Sequence, residues 1–222
     1  MYYIILILSI PLAIFSEDRL RLKRADVLEN VVIDGQAVQY LTGNVVFEKG
    51  AMIINCAKAI NIEKTGQGSM IGNVKVVNDN QSLTCDSLHY DSPNDMLHGF
   101  GNARVWDNDY DLLADTLVYY SNLDSGIARG NAELTQKNQI ITSHSIYYAK
   151  HSGEDAVSYT AEGNVTILED ERKATCGRAI YNREDQTTWL KLDPHLTEKD
   201  QTMAGSEIIL RYKDEVMEHL YI

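Results

Sequence analysis

Apolar side chains in this chain fall on every second residue over short stretches, and the stretches recur. With the glycine of a Gly-Asn dipeptide counted as position 0, position 2 holds Val45, Val74, Ala103, Ala132 and Val165, and position 4 holds Phe47, Val76, Val105, Leu134 and Ile167. Alternation of this kind predicts a strand buried on one face. Positions 6 to 9 are polar, as in Asn78-Asp79-Asn80 and Gln136-Lys137-Asn138, and read as turns. A second strand follows. Its apolar columns are position 11 (Ile54, Leu83, Leu112, Ile141, Ala174), position 13 (Cys56, Cys85, Ala114, Ser143, Cys176) and position 16 (Ala59, Leu88, Leu117, Ile146, Ala179). Position 18 adds Tyr90, Tyr119, Tyr148 and Tyr181, with Asn61 in the first unit. The step from 13 to 16 slips the alternation by one residue, as a bulge or sharp bend does. A second polar turn, such as Asp91-Ser92-Pro93-Asn94-Asp95, leads into the strand that carries the next Gly-Asn.

The dipeptide recurs at Gly43-Asn44, Gly72-Asn73, Gly101-Asn102, Gly130-Asn131 and Gly163-Asn164, with spacings of 29, 29, 29 and 33 residues. A period held that closely marks a repeat architecture. The longer fourth spacing falls in a turn, around Lys150 to Asp155, where insertions are tolerated. Pairing the strands as hairpins sets every Gly-Asn opposite the phase slip, so the bends line up as one crease across the sheet. The fold class this predicts is all-β: antiparallel strands built from repeats of about 29 residues, folded along the crease with the apolar face inside. A parallel β-helix with one unit per rung has the same columns, but two polar turns per unit favour the meander. Val31 to Tyr40 supplies a starting hairpin. In the last unit Leu192-Asp193 replaces Gly-Asn, Pro194 follows, and Met203, Gly205, Ile208 and Leu210 continue the columns.

Ahead of the repeats, Tyr2 to Phe15 is an uncharged apolar run. It is short for a membrane span, which takes about 20 residues, and it matches the apolar core of a secretory signal, with an uncleaved N-terminal anchor as the alternative. The division expected is a signal peptide at 1–16, a linker at 17–26 and a single β domain at 27–222. A net charge of −12 argues against nucleic acid as a partner. The cysteines, Cys56, Cys85 and Cys176, are odd in number and are expected to serve as small buried hydrophobes.

Chemistry is sparse. Position 14 holds Ala57, Asp86, Asp115, His144 and Gly177. Asp86 and Asp115 are the one carboxylate pair that a glycan hydrolase or lyase would use. The structural reading, that this position is the exposed bend, is the stronger, because it lies on the phase slip. The six histidines lack ligand spacing, and neither a nucleophile elbow nor a phosphate loop is present. The expectation is therefore a non-enzyme without metal or cofactor. The tyrosine column reads chiefly as packing near a rim, with stacking on a ligand as the alternative.

The repeated pattern of Gly-Asn-Val, a polar turn, then an (Ile/Leu)-x-Cys-Asp-x-(Leu/Ala)-x-Tyr stretch resembles the OstA family, which includes the lipopolysaccharide transport proteins LptA and LptC and the N-terminal domain of LptD. The residues that carry it are Leu41-Thr42-Gly43-Asn44-Val45-Val46-Phe47, and Gly72-Asn73-Val74 through Leu83-Thr84-Cys85-Asp86-Ser87-Leu88-His89-Tyr90. The likeness extends over roughly Asp26 to Ile222. It implies an open, V-shaped β-jellyroll in the periplasm whose apolar groove shields the acyl chains of lipid A on the way to the outer membrane. It also implies end-to-end joining through edge strands with LptC-like or LptD-like partners, or with further copies of the chain. On this reading the groove is lined by Phe47, Ile54, Val74, Val76, Leu83, Leu88, Val105, Leu112, Leu117, Leu134, Ile141, Ile146, Val165 and Ile167. A structural or adhesive repeat protein with a closed dry core is the competing reading, and a β-helical glycan enzyme the third.

Overall fold

The computed structural model describes residues 20–62, 64–108, 110–120, 123, 125–150, 157–213 and 216–222. The signal-like run lies outside them. The described residues form strands and connecting turns only. The long strands are β3 (Gln36–Lys49), β4 (Met52–Ile62), β5 (Gln67–Asn78), β6 (Gln81–Asp91), β7 (Met96–Trp106), β8 (Tyr110–Tyr120), β9 (Ser125–Gln136), β10 (Gln139–Lys150), β11 (Val157–Glu169) and β12 (Arg172–Asn182). Each pairs antiparallel with the next. The sheet is a meander, and the parallel β-helix is ruled out. Cys56 and Cys85 sit two strands apart on β4 and β6, and all three cysteines are buried free thiols, packed as small hydrophobes.

Both ends of the meander fork. At the start, β1 (Arg21–Arg24) pairs with the second half of β3, and β2 (Val27–Ile33) with its first half. Residues 21–24, inside the stretch read as a linker, are therefore a strand of the sheet. Arg-Leu-Lys-Arg is too short and too polar to show alternation, and only its pairing with β3 makes it β. The β2–β3 hairpin turns on Asp34-Gly35, both left-handed (φ 50° and 75°), as a two-residue hairpin requires. At the far end, β13 (Thr187–Lys191) and β14 (His195–Glu198) share β12 between them. β15 (Gln201–Ala204) then pairs with β14, β16 (Glu207–Lys213) with β13, and β17 (Val216–Tyr221) with β16.

The crease is a column of bulges. Across the pairs β3–β4, β5–β6, β7–β8, β9–β10 and β11–β12, Gly43-Asn44, Gly72-Asn73, Gly101-Asn102, Gly130-Asn131 and Gly163-Asn164 lie two residues against one. The single residues opposite are Ala57, Asp86, Asp115, His144 and Gly177, the whole of position 14. Both residues of each dipeptide are left-handed, with φ of 72–80° at glycine and 46–51° at asparagine. Only Gly and, less readily, Asn adopt that conformation cheaply, and this is why the pair recurs. In the last unit Leu192 and Asp193 take the same conformation, at φ 62° and 61°.

The crease folds the sheet upon itself. Lys49, at the end of β3, forms a 2.6 Å ion pair with Asp95, in the β6–β7 turn at the opposite end of the strands. On a flat sheet these positions lie about a dozen residues apart along the strand direction, roughly 40 Å at ~3.3 Å per residue. At the other end of the array Arg172 Nη1 lies 3.2 Å from Met217 Sδ, and Tyr212 donates to Glu169 at 3.4 Å. The predicted apolar columns point into the fold: Val45, Ile54, Val74, Leu88, Ala103, Ala132 and Val165 are all buried. They form two clusters, one on β3–β8 and one on β8–β16, with Leu112 packed against both.

Candidate functional site

One row of inward side chains, two positions before each Gly-Asn and sixteen after it, runs continuously across twelve strands. In register it reads Leu41, Ala59, Met70, Leu88, Gly99, Leu117, Ala128, Ile146, Ala161, Ala179, Leu190 and Ile208. Residue size along it is uneven. Met70, Leu88, Leu190 and Ile208 are large and at most 1% exposed. Between them, Ala128, Ala161 and Ala179 leave space that Leu117 and Ile146 do not fill, while the space over Gly99 is taken by Cys85.

That space is a cavity of about 950 Å³. Nine of the fourteen residues expected to line a groove do line it: Val76, Leu83, Val105, Leu112, Leu117, Leu134, Ile141, Ile146 and Ile167. The other five do not. Phe47, Ile54, Val74 and Leu88 are buried in the first cluster, and Val165 in the second. They face the correct side of the sheet, but at their level the two halves pack directly on each other.

The mouth of the cavity lies between the two free margins of the folded sheet. Tyr119, Tyr148, Tyr159, Tyr181 and Arg183 line it from one margin. From the other come Asp107, Tyr110, Gln136, Lys137 and Gln139. Tyr148, Tyr159 and Tyr181 form an aromatic ladder with ring centroids 5.5 and 6.3 Å apart, so two members of the tyrosine column, Tyr148 and Tyr181, each pack at the rim against Tyr159 of β11, which lies outside the column. Tyr90 differs from its column mates: it is fully buried at one end of the cavity, with Lys49 Nζ 5.7 Å from its ring centre. Burial works against the charge on Lys49, but Asp95 and Tyr90 outweigh it and its pKa is raised. At the other end burial, then Glu169, pushes the Tyr212 hydroxyl well above its usual range, so it stays protonated and donates.

Asp86 and Asp115 lie elsewhere. Both are exposed on the outer side of the crease, away from the cavity. Asp86 accepts from the Asn102 side chain at 3.0 Å and Asp115 from Asn131 at 3.1 Å. Their part is to brace the bend.

Half of the row beginning at Leu41, the residues sixteen after each Gly-Asn, belongs to the expected columns; the other half, two before each Gly-Asn, does not. Its signal is present: the same alternation, read backwards through Gly-Asn from position 2, reaches Leu41, Met70, Gly99, Ala128 and Ala161. The Lys49–Asp95 contact has no such signal, since 46 residues separate the partners.

The family model of OstA-like proteins matches residues 61–206, about two thirds of the chain. The chain belongs to the OstA-like family. The match runs from the end of β4 through β15, so most of the cavity's lining falls within the family's segment, with Lys49 and Met52 before it and Leu210 and Tyr212 after it. No curated protein matches this OstA-like chain. Among solved structures it is similar to LptH of Pseudomonas aeruginosa, described as the LptA-homologous periplasmic component of the conserved lipopolysaccharide transport device. Identity is 16% and the TM-score 0.42, over 47% of this chain and 78% of LptH.

Proposed function

We propose that this OstA-like chain is an exported, non-enzymatic lipid carrier that shields the acyl chains of lipopolysaccharide during passage through the periplasm to the outer membrane. The observation that carries the reading is the cavity: about 950 Å³, walled by the apolar columns and open between two rims rich in tyrosine and amide side chains. Its size is in the range of small-molecule sites. An unfilled apolar interior of this kind has an apolar ligand as its natural occupant. A structural protein with a closed dry core has no use for it, and the carrier is the better account. With a chain charge of −12 the binding is tail-driven and weakly dependent on salt.

Residues 1–16 act as the export signal in this reading and the β domain follows. Its fully exposed edge strand β2, with Val32 and Val27 more than half exposed, is the edge that accepts a strand from an LptC-like or LptD-like partner or from another copy. Val32→Pro, at a position opposite Ala37 whose N–H faces away from β3, removes a donor from that free edge and is expected to abolish such pairing in a pull-down.

The direct test is photocrosslinking in cells. A crosslinker at Leu117 or Val105 is expected to capture lipopolysaccharide, and one at the outward-facing Leu113 is not. Labelling from Leu113 alone would overturn the proposal.

A further inference from the structure

Resting on that reading, we propose that the cavity wall carries a polar subsite, Tyr90 Oη with Lys49 Nζ, that takes the linkage carbonyl oxygen of a bound acyl chain. Tyr90 heads a row that reads, in register, Tyr90, Leu97, Tyr119, Gly126, Tyr148 and Tyr159. The later tyrosines of that row are half-buried at the rim. Tyr90 also lines the cavity, yet it is 1% exposed and its hydroxyl has no hydrogen-bond partner. Among the described residues one other buried side-chain oxygen or nitrogen shares that condition, Asp91 Oδ1, and its carboxylate is held through the second oxygen by Asn94 at 2.8 Å. Tyr90 has no second polar atom. A hydroxyl taken from water is hydrogen-bonded in nearly every folded protein, because leaving it unpaired costs its hydration. One that faces an apolar cavity unpaired finds its partner on the ligand.

Lys49 supplies the second donor. It comes from the end of β3, lines the same cavity, and places Nζ 5.7 Å from the Tyr90 ring centre. An ammonium has three hydrogens, and Asp95 accepts one at 2.6 Å. The charges of this pair offset each other. An anionic group entering here meets the Asp95 carboxylate, and a cationic one meets Lys49. An uncharged oxygen with two lone pairs suits both donors. On a lipid whose tail lies among Met52, Leu97 and Leu117, that oxygen is the ester or amide carbonyl at the head of an acyl chain. The subsite then sets the direction of the chain, carbonyl beside β6 and tail along the lining of β7 and β8.

The test uses the exported chain, stripped of lipid, and three probes. These are methyl palmitate, hexadecyl methyl ether, which keeps the chain and lacks the carbonyl, and palmitate. Affinity is read by competition, and the ester carbonyl by the infrared band of a ¹³C label. The ester is expected to bind about tenfold tighter than the ether, with its band at lower frequency than in hydrocarbon solvent. Tyr90→Phe removes the hydroxyl alone. It is expected to cut the preference to about twofold and raise the band, with ether affinity and melting midpoint unchanged. An ester preference and band unaltered in Tyr90→Phe would overturn the subsite. So would a melting midpoint several degrees lower in lipid-free Tyr90→Phe, since the hydroxyl would then be bonded within the protein. Palmitate preferred to its ester, with that preference lost in Tyr90→Phe, would overturn the assignment to an uncharged group. In each of these outcomes the ether still binds and the carrier reading stands. A chain that binds none of the three probes would overturn the carrier reading itself, and the subsite with it.

Discussion

The Asn102 side chain donates to Asp86 Oδ2 at 3.0 Å across the crease, and this bond pins a left-handed asparagine in the middle of a strand. Asn131 and Asp115 repeat the arrangement one unit on. A Cβ on Gly101 would collide with the Asp86 carboxylate, so the pair Asp86 and Gly101 is matched in shape as well as conformation.

Asp86→Ala and Asp115→Ala are each expected to lower stability by about 1 kcal/mol, the usual worth of one hydrogen bond, and to lower the melting midpoint by about 2–4 °C. Acyl-probe affinity should stay unchanged, because both carboxylates face away from the cavity. A large loss of binding without loss of stability would return these residues to a direct role.

Leu192 is left-handed (φ 62°) where the other units have glycine, and it is 66% exposed, so its side chain gains little in return. Leu192→Gly is expected to stabilise the protein by about 1 kcal/mol, raising the urea midpoint without changing the slope. Gly177 faces it across the bulge, and a Cβ there would stand 2.7 Å from Leu192 Cβ. Gly177→Ala should therefore be destabilising in the native background and much less so beside Leu192→Gly. Simple additivity of the two would show that the clash is relieved elsewhere.

Met70 and Ile141 share the inner face but not the same surroundings. Met70 is fully buried in the closed cluster, and Ile141 is half-buried beside the cavity. Met70→Ala should cost about 2–5 kcal/mol, and Ile141→Ala about 1 kcal/mol or less, since its side chain meets empty space on one side. Acyl affinity should follow the opposite order, falling for Ile141→Ala. Denaturation and competition binding on the same samples separate the two effects.

Burial raises the Cys56 and Cys85 thiols from an ordinary 9.0 to about 11, against weaker backbone hydrogen bonds that favour the thiolate. Between those values the unfolded chain releases thiol protons that the folded chain keeps. Stability contributed by the buried thiols is thus intact below pH 9 and falls as the pH rises toward 11. The melting midpoint should drop more between pH 8 and pH 10.5 in the native protein than in Cys56→Ala/Cys85→Ala. Equal drops would place the alkaline loss in other groups.

Local chemistry made much of this protein legible from its residues in order. Alternation named the inward columns, polar clusters placed the turns, and the Gly-Asn period located the crease, because each depends only on neighbours along the strand. Tertiary structure decided three other things. Arg21–Arg24 is a strand because β3 is there to pair with it. Lys49 and Asp95 meet because the crease brings opposite strand ends together. Whether an inward side chain lines a cavity or closes a core depends on the summed size of its neighbours across the sheet. Leu88 and Leu117 occupy the same column, yet one is packed against Met70 and the other looks into open space beside Ala128. Packing density is a property of the whole row, and no single strand contains it.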